Sequence, residues 1–176
     1  GVPFAIPEPA VAESGDGAAG RATVEILDED LCGRFGLRVL DGVVVGTSPR
    51  WLANRLTALG QRPINSVVDV SNYVMLELGQ PNHTYDLDRV AGAAFRVRRA
   101  ADGEVIETLD GVERTLTAAD GVIADGDDTA IGIAGIMGGA NTEIDDSTTS
   151  VALEMAWWDP MTIATSGRRL GLRSEA

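Results

Sequence analysis

Residues 60–86 read GQRPINSVVDVSNYVMLELGQPNHTYD, and the arrangement of the whole chain turns on how that stretch is taken. Pro63, Ile64 and Asn65 lead into an amphipathic run, with Asn65 placed to cap a helix by accepting a backbone N–H two or three residues on. Gly79 closes the run. Val67, Val70, Val74 and Leu78 recur at helical spacing, so at about 100° per residue they form one stripe expected to face a core. Asn65, Asp69, Asn72 and Leu76 fall on the opposite side. Short amide and carboxylate groups there suit a hydrogen-bonded floor better than a solvated face, which ordinarily carries Lys, Glu and Arg. The single histidine, His83, follows the GQPN turn, and Arg62 stands just before the helix. A chain folded back at 79–81 would bring the imidazole, the guanidinium and the polar helix face together. A lone histidine after a turn is also a common structural hydrogen-bonder, and both readings stand at this point.

Working upstream, Ser48 is the expected N-cap of an earlier helix with Pro49 at its first position, Leu52, Leu56 and Leu59 as its buried stripe and Gly60 as its end. Two consecutive helices, about 49–59 and 65–78, thus bracket Arg62. Residues 37–46 suggest a strand or a tight hairpin at Asp41-Gly42. Residues 22–27 read as a strand followed by an acidic turn. Residues 1–22, rich in Ala, Gly, Pro and Glu, read as a linker, which leaves 23–176 as the folded domain.

Downstream of residue 93 the period changes to two. Residues 95–99 alternate, 104–109 and 112–116 flank the hairpin pair Asp110-Gly111, and 121–124 and 129–134 flank a turn at 125–128. These segments predict a β-meander. It ends in GIMGG at 135–139. A phosphate cradle there would need a helix directly behind it, whereas an acidic, Thr-rich loop follows. The glycines serve either a bulged turn with left-handed backbone or a pocket wall where a ligand approaches the main chain. Residues 151–156 are apolar except for Glu154, a carboxylate that is costly in such a strand unless paired, pocket-facing or turned to solvent. Trp157 and Trp158 read as core or pocket lining, and Asp159-Pro160 opens a helix. The fold class is α+β, with two early helices packed against a β-rich, largely antiparallel second half and a site where the lobes meet.

The 176 residues carry a net charge of −13, and all fourteen basic residues are arginines. Nucleic-acid binding ordinarily rests on a basic face that releases counterions from phosphates, so this chain alone is expected to grip a nucleic acid poorly. Two arginine groups qualify that expectation: Arg96, Arg98 and Arg99, and then Arg168, Arg169 and Arg173. Either group also reads as a solvated face. One cysteine, Cys32, excludes an internal disulfide, and with a single histidine no usual transition-metal set is available. No apolar run approaches the roughly 20 residues that span a bilayer, and no signal-peptide pattern opens the chain, so a cytoplasmic location is expected.

Three ordered stretches resemble the beta subunit of bacterial phenylalanyl-tRNA synthetase in its third-and-fourth, or editing, domain. They are residues 60–86, which hold nearly every fixed position of that family's pattern, residues 133–139, IAGIMGG, and residues 151–176, VALEMAWWDPMTIATSGRRLGLRSEA. The similarity covers most of the chain from about residue 31 onward, and the ending implies a portion of a larger subunit. The departures are Ser71 where Thr is frequent, Asn82 for an apolar residue, Tyr85 where Phe is usual, and the bulky Trp157-Trp158 pair.

The resemblance implies hydrolysis of the ester in a wrongly charged tRNA, notably tyrosine on the phenylalanine tRNA. A synthetic pocket built for phenylalanine cannot strongly reject one added hydroxyl, which makes a second sieve useful. Glu154 would accept the phenolic O–H, and a plain phenyl would leave that carboxylate unpaired at a cost on the order of 1–3 kcal/mol. His83 would position or polarise water at the ester, or act as general base. Arg62, Ser71 and Asn72 would line the site, and Gly135, Gly138 and Gly139 would supply close backbone. The adjacent ribose hydroxyl would share the proton transfer. No metal or cofactor is implied for this domain, since ATP and magnesium belong to the synthetic site of the parent enzyme. The implied partners are the charged end of tRNA, the alpha subunit and the remaining beta-subunit domains of the heterotetramer, with no membrane and no DNA. A non-catalytic structural or tRNA-docking module and a freestanding trans-acting deacylase are the alternatives.

Overall fold

A computed structural model describes residues 3, 5, 10–15 and 17–172. Arg173, one of the second arginine group, lies outside the described residues, as does part of the expected linker. The α+β class holds. Three helices form among the described residues, α1 (Arg50–Ala58), α2 (Ser66–Leu78) and α3 (Pro160–Leu170).

Among the described residues ten strands make three sheets. The largest has the order β1 (Thr23–Ile26), β4 (Ala94–Arg99), β7 (Gly121–Ala124), β8 (Ala130–Ile133), β9 (Met137–Gly138). Its pairs are antiparallel except β1 with β4, which is parallel. The second sheet places β10 (Ser150–Trp158) between β2 (Cys32–Asp41) and β3 (His83–Asp86), all antiparallel. β5 (Val105–Glu107) and β6 (Glu113–Thr115) form the hairpin expected around Asp110-Gly111.

Alternation along β7 explains how the layers are joined. Ile123 belongs with Tyr85, Phe95, Val97 and Ala152 in a core that links the two larger sheets. Val122 points the other way, packing with Ile106, Leu116 and Ile133 in a second core that Ile163 and Leu170 of α3 help to cover. A register shift between Ile123 and Ala124 accompanies the placement of Ile131 in the first of these cores.

Asn65 caps α2 as expected, its Oδ1 accepting from Val67 and Val68 N–H at 3.1 and 3.0 Å. Gly79 ends the helix in the left-handed region at φ 68°. The expected apolar stripe does not face a core, because Val70 and Leu78 are 51% and 54% exposed. Asp69 and Ser71 are the buried residues of the helix instead. The reason is that both have partners inside. Asp69 accepts from the Ser48 hydroxyl and from the Ile64 N–H, and the Ser71 hydroxyl donates to Asn82 Oδ1 at 2.6 Å. Committing Ser48 to Asp69 also overturns its expected role, for the N-cap of α1 is Pro49, with no side-chain bond. No hairpin forms at Asp41-Gly42, since β2 runs on to Asp41 and spends its length pairing with β10.

Candidate functional site

β10 is nine residues long, but β3 covers only its first half, pairing Val151 through Glu154 with Asp86 through His83. Beyond Glu154 that edge of β10 is open, and a cavity of about 960 Å³ occupies the space. Gly132, Ile136 and Gly138 form the wall across from it, α3 contributes Ile163, and the Gln80–Pro81–Asn82 segment closes one end. Arg34 and Arg38 of β2 lie at the other side, with Trp157.

Strand periodicity brings three functional groups to one face. His83 and Glu154 are cross-strand partners, and Tyr85 follows two residues after His83. Tyr85 donates its hydroxyl to Glu154 Oε2 at 2.6 Å. The His83 ring stands edge-on to Tyr85, 4.6 Å between centroids at 85°, and Tyr85 in turn meets Phe95 at 5.2 Å. Glu154 is only 6% exposed, and Tyr85 is the hydrogen-bond partner that the described residues give its carboxylate, through Oε2.

Electrostatics follow from this burial. Loss of water pushes the Glu154 carboxyl up to about 7, against the pull of the Tyr85 hydrogen bond, which favours the carboxylate. The same loss of water pushes His83 down to about 4, so its imidazole is neutral near pH 7. Burial and the adjacent Glu154 push the Tyr85 phenol well above its ordinary value, which keeps it a donor.

The glycines divide by role. A Cβ on Gly138 would lie 2.3 Å from His83 Nε2, so this residue lets the imidazole rest on the β9 main chain. Gly135, at φ 64°, makes the turn that leaves space for the Trp158 indole, 2.8 Å from where a Cβ would stand. Gly139 is not among the cavity's lining residues; its N–H is bonded to Ile131 C=O at 2.8 Å. Arg62, exposed on the α1–α2 connection, and Asn72, half-buried on α2, are also outside the lining. Ser71 reaches the site only through Asn82, whose amide donates back to the Ser71 carbonyl at 3.3 Å, pinning the segment just ahead of His83. Of the residues expected at one site, the cavity therefore unites His83, Glu154, Gly135 and Gly138. Tyr85 and Gly132 were not anticipated. The signal for Tyr85 was the two-residue alternation within HTYD, hidden by reading that stretch as the end of a turn.

The first arginine group is taken up by carboxylates. Arg96 pairs with Glu25 and Asp128, Arg98 with Glu104 and Asp128, and Arg99 with Asp28. Arg169 pairs with Asp120. Among the described residues no three His, Cys, Asp or Glu side chains converge to hold a metal ion.

The sequence profile described as the B3/4 domain matches residues 31–176. The phenylalanine–tRNA ligase beta subunit of Geobacter sulfurreducens is 49% identical over 170 residues, 97% of this chain and 21% of the relative. That of Nitratidesulfovibrio vulgaris is 49% identical over 176 residues, 100% of this chain and 22% of the relative. The chain thus spans about a fifth of the length of these relatives. Among solved structures, an N-terminal fragment of the phenylalanyl-tRNA synthetase beta subunit from Pyrococcus horikoshii superposes with a TM-score of 0.56, covering 94% of this chain and 52% of that one. Its 12% identity makes this a likeness of fold.

Proposed function

The chain belongs to the B3/4 domain family, and from that premise we propose that it is the editing module of a phenylalanine–tRNA ligase beta subunit, clearing tyrosine wrongly esterified to the phenylalanine tRNA. The observation that carries this reading is the buried carboxylate of Glu154, which already holds one phenol hydroxyl, that of Tyr85, at 2.6 Å. A substrate phenol entering the cavity would donate to the second oxygen. A phenylalanyl group offers that oxygen nothing. Because Tyr85 keeps half of the carboxylate satisfied, discrimination rests on one hydrogen bond to a charged acceptor, on the order of 1.5–3 kcal/mol.

In the hydrolytic step, water oxygen attacks the ester carbonyl carbon, the bond to the ribose oxygen breaks, and that oxygen takes a proton. The products are free tyrosine and an uncharged tRNA end. With its pKa pushed to about 4, His83 is a weak base. Its role is to orient the water by accepting a hydrogen bond, while the vicinal ribose hydroxyl relays the proton. Aminoacylation, with its ATP and magnesium, falls to other parts of a cytoplasmic enzyme, in which the alpha subunit and the rest of the beta subunit are the partners.

Deacylation of tyrosyl-tRNA and phenylalanyl-tRNA by the full-length ligase tests the proposal. Glu154→Ala should bring the two rates together, lowering the tyrosine rate about tenfold or more, and His83→Ala should slow both. Wild-type clearance of tyrosine by both variants would overturn it and leave a non-catalytic module.

A further inference from the structure

We infer that Trp157 and Arg34 form a nucleotide-binding platform at the mouth of the cavity, with Trp157 stacking a base and Arg34 holding the phosphate on its 5′ side. This inference rests on the editing reading above and adds the residues that would seat the RNA part of the ester.

Four observations converge on it. The first is size. At about 960 Å³ the cavity sits at the upper end of the roughly 300–1,000 Å³ that takes a drug-sized ligand, far more than an amino-acid side chain needs. The second is shape. Strand alternation puts Trp157 and Met155 on the face of β10 opposite Glu154, yet all three line the same cavity. The cavity therefore wraps over the open edge of the strand, where β3 has ended. An ester lying at that edge would have its amino acid inside and its nucleoside on the outer face, about 10 Å further along the strand at Trp157.

The third is the exposed indole. Trp157 is 55% exposed, and its ring lies against Gly33, where a Cβ would come within 2.9 Å of Cε3 and 3.2 Å of Cζ3. The ring thus rests against the β2 main chain while more than half of the residue stays exposed, as a stacking surface requires. The fourth is charge. Arg34 is the cross-strand partner of Trp157, and among the described residues no carboxylate lies within ion-pair distance of it. Its neighbour Arg38, by contrast, pairs with Glu13. In a chain of net charge −13 an arginine left unpaired at a cavity mouth suits an anionic ligand, and a nucleoside phosphate satisfies Arg34 and Trp157 together.

Binding to the folded chain is measured by calorimetry with three probes: 3′-tyrosylamino-3′-deoxyadenosine 5′-phosphate, the same compound lacking the phosphate, and tyrosine amide. Trp157→Ala should weaken both nucleoside probes about tenfold, the lower range of one base–aromatic stack, and Trp157→Phe should recover most of that loss. Arg34→Gln should weaken only the phosphate-bearing probe, again about tenfold. Neither substitution should change tyrosine amide binding, which also shows that the variants fold. If Trp157→Ala and Arg34→Gln bind all three probes as the wild type does, the platform is refuted while a Glu154-dependent preference for tyrosine amide over phenylalanine amide leaves the editing reading standing. If that preference is missing but the nucleoside probes still depend on Trp157, the platform stands and the phenol pocket falls. If no probe binds, both fall.

Discussion

At the scale of single residues, the contact on which the proposed chemistry turns is the one between Tyr85 and Glu154. In that role it would make the phenol of the chain a competitor and a template at once. It also sets the pH at which the carboxylate is charged. The Tyr85 hydroxyl is the group that holds Glu154 down against burial, so Tyr85→Phe should move the carboxyl above about 7. The proposed preference for tyrosine over phenylalanine would depend on a charged acceptor, and should therefore rise with pH through the neutral range in the wild type. In Tyr85→Phe the same rise should appear at higher pH, a shift read from deacylation rates of the two esters across pH 6–9. A second consequence concerns stability. Glu154 has its pKa raised by folding, from 4.5 to about 7, so its contribution is full below 4.5 and is lost as pH rises through 7. His83 has its pKa lowered, from 6.5 to about 4, so its contribution is present above 6.5 and lost as pH falls through 4. The two slopes oppose each other over the shared window, each at most about 1.4 kcal/mol per pH unit. Urea unfolding between pH 4.5 and 6.5 should show His83→Gln falling in stability, relative to the wild type, as pH rises, and Glu154→Gln gaining. Parallel curves for all three proteins would mean that neither group is buried as described.

At the scale of elements, α2 shows how a correct helix can be turned the wrong way. Its ends were legible because Asn65 and Gly79 act locally, through one side-chain cap and one left-handed residue. Its orientation was not, because hydrophobic spacing counts apolar side chains and is blind to partners waiting elsewhere. Ser48 and Asn82, remote in sequence from the helix middle, make burial of Asp69 and Ser71 possible. The difference can be measured. Asp69→Ala leaves the Ser48 hydroxyl and the Ile64 N–H without their acceptor and should cost about 2–3 kcal/mol in urea unfolding. Leu78→Gln, on the stripe that spacing assigns to a core, should stay within about 0.5 kcal/mol of the wild type. The strands divide in the same manner. The hairpin at Asp110-Gly111 and the segments leading to β7 and β8 were readable, since turn residues and alternation lie within a few positions of each other. The pairing of β3 with β10 was not, because His83 and Glu154 meet only through a long-range register, and four residues of HTYD are too few to announce a strand. The site was consequently half legible. Residue chemistry pointed to His83 and Glu154, and to the glycines beside them. The polar face of α2 was placed in the cavity by the assumption that a polar face must look toward a ligand, when it looks toward the protein.

At the scale of the whole molecule, charge separates two ways of meeting RNA. A chain of net charge −13 that engaged a duplex through its arginines would first have to release Arg96, Arg98 and Arg99 from the carboxylates that hold them. Each such exchange replaces one ion pair by another and gains little. What remains is the cavity, which on the proposed reading would take the ester end, and the guanidinium of Arg34, which no carboxylate among the described residues pairs. The two modes differ in salt dependence. Counterion release lowers log K with log salt by about 0.7 for each single-strand phosphate neutralised. Binding of a short acceptor-end oligonucleotide carrying a 3′-tyrosylamino group should therefore follow a slope near −0.7, and near zero in Arg34→Gln. A slope several times steeper would require a basic surface that the ion pairs of the first arginine group do not leave free. Measured between about 0.05 and 0.3 M salt, where the Debye length falls from roughly 14 to 6 Å, the slope distinguishes a chain that reads the end of an RNA from one that holds its length. The first outcome would fit the proposed role within a larger subunit, in which affinity for the ester is local and the grip on the rest of the tRNA comes from elsewhere.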